Sequence, residues 1–432
     1  MNQTFRKTTM MLAAGVLLGI GATAQTTTVA SGTTGSCTWA LTSDSTLTIG
    51  GAGAMESYDY YGIFAPWSPY QSHIKAAVVG DGVTAIGDYA FDGCLWMTSV
   101  ALGSSVASIG EGAFSFCRGL TSVAIPASVT SIGYDAFVSC DGLTSVVIPR
   151  GVTAIGEGAF GGCAALTDIA VEGGSAGYVS EGGVLLSIDK ATLLAYPAGR
   201  PGSSYAIPSS VTRISAVAFY RCSGLTAVTI PDGLTAIGEM AFYECHGLTS
   251  VAIPNSVDSI GMFAFSDCFG LTTVALGSGA TSIGAFAFAD CGALTSITNL
   301  CPVPQAIEAY MFDGTSKSAC TLYVPKGSVA AYQAATGWKD FLHIEGVGDE
   351  PEPTPPCCTA VEALRAASLQ TYPNPTAGLV YIDNPDGAEV EVYTLGGALL
   401  LRSRAAAVDL GQHAAGAYII KVGSKVAKVV KQ

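Results

Sequence analysis

Val129-Thr130-Ser131-Ile132-Gly133-Tyr134-Asp135-Ala136-Phe137-Val138-Ser139-Cys140-Asp141-Gly142-Leu143-Thr144-Ser145-Val146-Val147-Ile148-Pro149 is the stretch that decides the fold. Leu-Thr-x-Val-x-Ile alternates apolar and polar residues, the period of a strand with one face turned inward. Val-Thr-x-Ile alternates too and predicts a second, shorter extended stretch. Ile-Pro and Ile-Gly read as corners, because Pro fixes φ and removes a donor while Gly permits positive φ. Ala-Phe-x-x-Cys has helical rather than strand spacing and predicts one tight turn.

The frame recurs along the chain. Cys94, Cys117, Cys140 and Cys163 are each 23 residues apart, as are Cys222, Cys245, Cys268 and Cys291, and the two runs are separated by 59 residues. Gly103 and Gly277 replace the proline in two copies and keep the turn. A single coil buries too little apolar surface to offset the entropy of ordering its backbone. Only stacked coils that share ladders of backbone hydrogen bonds give a viable fold. At a strand spacing of about 4.8 Å, eight regular coils extend roughly 40 Å.

This frame resembles the BspA-like leucine-rich repeat of bacterial surface proteins over roughly residues 76–345. It lacks the Asn ladder that follows the strand in ordinary leucine-rich repeats, and Ile-Pro stands there instead, so the strongly curved horseshoe of that family is not expected. The longer unit at 171–205 also resembles what BspA-like chains contain. It holds a hairpin-like pair, Val184–Asp189 and Thr192–Tyr196, around Lys190-Ala191.

The flanks divide the chain further. Residues 1–24 read as a secretory signal: Arg6 and Lys7 precede the apolar Met10–Ile20, and Ala22-Thr23-Ala24 is a small-x-small cleavage site. Residues 25–75 read as a β cap, with Trp39-Ala40-Leu41 and Leu47-Thr48-Ile49 around a Ser43–Ser45 turn. The solenoid spans 76–347. Leu322-Tyr323-Val324-Pro325, a short helix near Ser328–Ala335, and Trp338 with Phe341 cover its far end, as an open solenoid end requires. Residues 348–366 form a linker, because the acidic, proline-rich run Gly348–Pro356 cannot build a core.

Residues 367–432 alternate as strands at Glu389–Tyr393, Leu399–Arg402, Val408–Leu410, Ala417–Val422 and Lys425–Val430, which predicts a small antiparallel sandwich. The fold class is therefore mainly β: a leucine-rich-repeat solenoid of 23-residue coils with an N-terminal β cap, then a small C-terminal antiparallel β-sandwich. The opening Tyr372-Pro373-Asn374-Pro375-Thr376-Ala377-Gly378, with Gly416, Tyr418 and Lys421 further on, resembles the C-terminal sorting domain of the type IX secretion system, type A. That resemblance implies passage through the periplasm, recognition by the type IX secretion machinery and removal of the domain. It also implies attachment to lipopolysaccharide on the surface of a Gram-negative, Bacteroidota-like cell.

Composition narrows the function classes. Charged residues are 12 % of the 432, apolar residues 49 %, and the formal charge is −14. Removing the leader, which holds two bases and no acid, leaves −16, of which residues 25–360 carry −17 and residues 361–432 carry +1. Such a chain is neither a disordered tail nor a coiled coil, and it lacks the basic face that nucleic acid needs. No run after the leader is long enough to span a bilayer. His73, His246, His343 and His413 share no metal-ligand spacing, no cofactor motif is present, and no Gly-Lys-Ser/Thr loop occurs. Gly173-Gly174-Ser175-Ala176-Gly177 fits G-x-S-x-G, but it sits in an all-β insert rather than at a strand-to-helix elbow. No enzyme is expected.

The repeated Cys reads as a buried thiol, because side chains in one column stand about 4.8 Å apart while a disulfide needs Cβ atoms near 3.8 Å. Cys301 and Cys320 lie off that column on successive strands, and a bridge between them stays open. The strand face is nearly uniform in Thr, Ser and Ala. Copies differ at the Ala-Phe-x-x-Cys turn, which carries Trp96, Phe116, Arg118, Tyr220, Arg221, Tyr243, Glu244, His246 and Phe269. Aromatics and Arg dominate protein interfaces, so these residues either meet a protein partner or fold onto neighbouring coils. The BspA-like resemblance implies an adhesin-like role toward host matrix proteins or other bacteria. The alternative is a structural scaffold of the cell surface without a specific soluble ligand.

Overall fold

The computed structural model describes residues 26–59, 62–308 and 310–347, and in the C-terminal part 371–372, 379–382, 390–394, 399–404, 407–410, 416–422 and 425–431. The leader 1–24, the linker 348–366 with Cys357 and Cys358, and Pro373, Asn374, Pro375 and Gly378 of the tail motif lie outside the described residues. The chain forms two compact units, one ending at Val347 and the other beginning at Gly348.

The Leu-Thr-x-Val-x-Ile segments pair in parallel, one period apart. Ser145, Val146, Val147 and Ile148 face Asp168, Ile169, Ala170 and Val171, and along Ser145–Ile148 exposed and buried residues alternate. A longer ladder runs through Ser204–Ala206, Ala227–Thr229, Ser250–Ile253, Thr273–Leu276, Ser296–Asn299, Thr321–Pro325 and His343–Val347. The Val-Thr-x-Ile segments give a second side of two-residue strands such as Ser108–Ile109, Ser131–Ile132 and Ala154–Ile155, also parallel. Exposed Thr hydroxyls reinforce both sides: Thr249 Oγ1 donates to Thr226 O at 3.2 Å, and Thr235 Oγ1 to Thr212 O at 3.0 Å.

The third side is the Ala-Phe-x-x-Cys turn. It is a turn, as its spacing predicts, but every second N–H in it points to the following coil. Asp135 N donates to Glu157 O, Phe137 N to Ala159 O and Ser139 N to Gly161 O, at 3.1, 2.8 and 2.9 Å. Asp135 and Ser139 are left-handed to achieve this, with φ of 50° and 55°. The same two positions are left-handed in all eight regular coils, even where they hold Val217 or Phe263. The Ile-Gly corner corrects an expectation, because its glycines are not left-handed. Close stacking demands them: a Cβ on Gly133 would sit 2.5 Å from Glu111 N and 2.6 Å from Gly110 C.

Inside, Phe137, Cys140 and Val146 are buried, as regular stacking requires. Phe rings form a column, with Phe91, Phe114, Phe137 and Phe160 stacked at centroid distances of 5.0, 5.1 and 5.6 Å. The thiols do more than fill space. Cys140 S–H donates to Phe114 O at 3.2 Å, Cys163 to Phe137 O at 3.1 Å and Cys245 to Phe219 O at 3.0 Å. The Cys column is thus a fourth inter-coil ladder, and a methyl or hydroxymethyl group would not reproduce its size and donor together.

The caps extend the same column. Trp39–Leu41 and Leu47–Ile49 pair antiparallel around the Ser43–Ser45 turn. Trp67 meets Trp39 edge-on at 5.8 Å, lies 5.8 Å from Phe91, and donates Nε1–H to Ala90 O at 2.8 Å. At the far end Trp338 and Phe341 pack edge-on against Phe312, at 5.6 and 5.3 Å. The helix there is Val329–Ala334. Cys301 and Cys320 are both free thiols, so the bridge left open above is not formed; Cys301 S–H donates to Ser278 O at 3.3 Å.

The irregular unit adds a strand the sequence reading did not place. Tyr178–Glu181 pairs antiparallel with Val184–Ser187, which pairs antiparallel with Thr192–Ala195. The C-terminal unit consists of two antiparallel sheets. One holds Thr371–Tyr372, Leu379–Ile382 and Ala407–Asp409; the other holds Leu399–Ser403, Val390–Thr394, Gly416–Val422 and Lys425–Lys431. Val408 and Leu410 share one apolar core with Val390, Val392, Tyr418, Ile420 and Val422, so the sheets face each other as a sandwich.

Candidate functional site

The turn brings its variable side chains to one edge of the solenoid because the Phe and Cys between them point inward. Trp96 is 63 % exposed, Phe116 36 % and Phe269 54 %, while Leu95 and Arg118 stand open beside Trp96 and Phe116. Arg118 Nε reaches Asp141 Oδ2 at 3.5 Å. His246 stacks on Phe269 at 4.8 Å and its Nδ1 lies 2.8 Å from Asp267 O, so the pair presents one joint face.

Tyr220, Tyr243 and Arg221 are placed differently. Tyr220 is half-buried, stacked on Tyr243 at 5.6 Å and laid over Gly162, where a Cβ would come within 2.7 Å of its ring. Arg221 lies 6.0 Å from the Tyr220 centroid and pairs with Asp141 at 2.9 Å and Glu244 at 3.5 Å. Burial and then the Glu244 carboxylate push the Tyr220 hydroxyl up; burial, then Asp267 and Glu244, push Tyr243 up to about 12. Both remain neutral phenols that pack against their own chain.

The sequence reading missed an aromatic run. Phe263 stacks on Phe286 at 4.9 Å, Phe286 on Tyr310 at 5.3 Å, and Tyr243 meets Phe263 edge-on at 6.4 Å. Phe263 and Phe286 occupy the left-handed position five residues before the Cys. Their recurrence at 23 residues was the available signal. On the opposite flank of the turn a shallow groove of about 590 Å³ follows the Ile-Gly corners from Met55 to Gly156, past Asp88, Glu111 and Tyr134.

Ser175 of the G-x-S-x-G match is no nucleophile elbow. It lies between the strands Asp168–Val171 and Tyr178–Glu181, and its Oγ accepts Tyr178 N–H at 3.3 Å. The column thiols are equally unsuited to chemistry. Burial pushes Cys94 and Cys291 up to about 12, which keeps them protonated donors. A thiol reagent is therefore expected to leave all eleven described cysteines unmodified in the native protein and to modify them in denaturant. Mass mapping, which separates them from Cys357 and Cys358, checks this; rapid native labelling of Cys140 or Cys245 would contradict the column.

In the tail unit, Tyr372 pairs with Tyr381 across the first sheet, and Gly416, Tyr418 and Lys421 share the strand Gly416–Val422. Tyr418 is buried, while Lys421 Nζ reaches Glu391 Oε2 at 3.4 Å.

Residues 70–177 and 201–319 match the BspA type leucine rich repeat region in six copies, and residues 370–432 match the secretion system C-terminal sorting domain. The gap between the repeat matches coincides with the irregular unit. A sorting domain of this kind marks a chain for export to the cell surface. The chain is similar to a solved leucine-rich repeat protein from Eubacterium ventriosum at 28 % identity, over 66 % of this chain and 95 % of that one, with a TM-score of 0.51. It shares its fold with the pneumococcal vaccine antigen PcpA at 17 % identity, over 74 % and 99 % of the two chains, with a TM-score of 0.50. No curated protein matches it. Among the described residues no helix is long and apolar enough to cross a membrane.

Proposed function

The chain belongs to the BspA type leucine rich repeat proteins, and from that premise we propose that it is a secreted, surface-attached binding module, adhesin-like and non-enzymatic, whose ligand is a protein of the host matrix or of another cell. The observation that carries the reading is the exposure of Trp96, Phe116 and Phe269 on the turn edge of a solenoid whose strand faces are flat and repetitive. Large rings with an adjacent Arg are the anchors that most often dominate protein interfaces. Trp96, Phe116 and Arg118 on successive coils form one contact area, and His246 with Phe269 forms a second. Tyr220, Arg221 and Tyr243 hold the edge in place behind them. The tail domain directs export through the type IX machinery and, by its resemblance, attachment to lipopolysaccharide.

Residues 25–347 are expected to bind saturably to immobilised fibronectin, fibrinogen or whole cells. The triple variant Trp96→Ser, Phe116→Ser, Phe269→Ser is expected to lose at least about tenfold in affinity with an unchanged circular dichroism spectrum. Undiminished binding by the folded triple variant would retire the edge. Absence of saturable binding to any of these surfaces would favour the scaffold reading, which the self-packing of Tyr220 and Tyr243 also supports.

A further inference from the structure

We infer that the irregular unit 171–205 is a seam at which the solenoid divides into two separately cooperative halves. Four features break there together. The apolar core separates into a cluster that ends at Ile169 and one that runs from Ile207 to Phe341. The hairpin Val184–Ser187 with Thr192–Ala195 is a septum between them. Leu185 and Ala195 belong to the first cluster, whereas Val184, Leu186 and Leu193 belong to the second.

Both strand ladders stop at the same place. Ala154–Ile155 ends one and Asp168–Val171 the other, and new ladders begin at Tyr178–Glu181 and Ser204–Ala206. Antiparallel pairing in the hairpin interrupts the parallel register that every other coil passes to its neighbour. The Phe column stops at Phe160 and restarts at Tyr196, which stacks on Phe219 at 5.0 Å. The thiol ladder loosens as well, since Cys222 lies 3.9 Å from Tyr196 O against 3.0 Å for Cys245 and Phe219 O.

Part-exposed polar contacts are prominent among those that cross the seam. Arg221 reaches Asp141 on the far side at 2.9 Å, Arg213 reaches Glu157 at 2.9 Å, and Ile155 N–H donates to the Tyr178 hydroxyl at 2.7 Å. In a solenoid each coil is stabilised by its nearest neighbours, so cooperativity passes only through interfaces strong enough to carry it. An interface where core, strands, ring column and thiol ladder all change partners transmits it least. The half beside the tail, residues 207–341, then stays folded while the half bearing Trp96 and Phe116 opens, and the reverse.

Hydrogen exchange of the full chain under mild denaturant, read by mass spectrometry for segments 77–166 and 207–324, tests this. Ile132→Val is expected to speed exchange of core amides in 77–166 by about two- to tenfold and to change 207–324 by less than half that factor. Ile260→Val is expected to do the reverse. Phe137→Ala and Phe242→Ala form a harsher pair should the methyl deletions prove silent. Acceleration that spreads to the far half by half the local factor or more would overturn the seam and make the solenoid one cooperative body.

Discussion

Phe137→Ala is expected to destabilise the solenoid half that contains it by about 3–5 kcal/mol, the cost of deleting a fully buried ring and leaving a cavity. Phe137 is closed to solvent, with Phe114 5.1 Å away on one side and Phe160 5.6 Å away on the other, at interplanar angles of 7° and 4°. A ring held on both faces leaves neighbours that cannot collapse into its space, because each is fixed by its own turn. Phe137 N also donates to Ala159 O and Phe137 O accepts the Cys163 thiol, and these backbone bonds keep the turn from closing inward. Denaturant unfolding followed by circular dichroism measures the effect. Tyr134→Ala, on an exposed residue of the same coil, is the control and is expected to stay within about 0.5 kcal/mol. A loss of less than about 1.5 kcal/mol at Phe137 would mean that the column is loosely packed.

Gly247→Ala is expected to cost about 3 kcal/mol, while Gly224→Ala costs nothing or stabilises by up to about 1 kcal/mol. Both glycines stand two residues after a column Cys and precede Leu-Thr. A Cβ on Gly247 would press into Ser223 O and come within 2.9 Å of Leu225 O, both backbone atoms of the preceding coil that cannot turn aside. A Cβ on Gly224 would meet nothing within 4 Å, because the unit before it is the irregular one. Neither glycine is left-handed, so conformational strain does not separate them. There the same substitution instead narrows the unfolded ensemble of a free position. Thermal unfolding of the two single variants decides the matter, and equal effects would show that stacking is not what selects glycine at this position.

Much of the fold was legible because its signals are periodic. The 23-residue spacing, the alternation in Leu-Thr-x-Val-x-Ile and the inward Phe, Cys, Val and Ile are repeated eight times, which averages out the noise of any one copy. Trp39, Trp67, Trp338 and Phe341 were legible as caps because bulky aromatics interrupt a repeat poor in Trp. The candidate edge was legible only in part. Variability and residue type pointed to Trp96, Phe116, Phe269 and to Tyr220 and Tyr243 alike, and nothing local separates an exposed ring from one lying over Gly162 in another coil. Phe263 and Phe286 escaped because a left-handed phenylalanine has no sequence signature; inter-coil bonds impose that conformation.

The amino-acid sequence by itself determined that this protein is a solenoid, which residues line its interior, and that a sorting domain follows an acidic linker. Periodicity fixes a face wherever the residue pattern is commensurate with strand or turn. Tertiary structure alone decided why Ile-Gly needs its glycine, what the thiols bond to, which aromatics remain open, and that the stack changes partners at 171–205. Each of these depends on which atoms of one coil lie over which atoms of the next, and that vertical match is a property of the stack and not of any single coil.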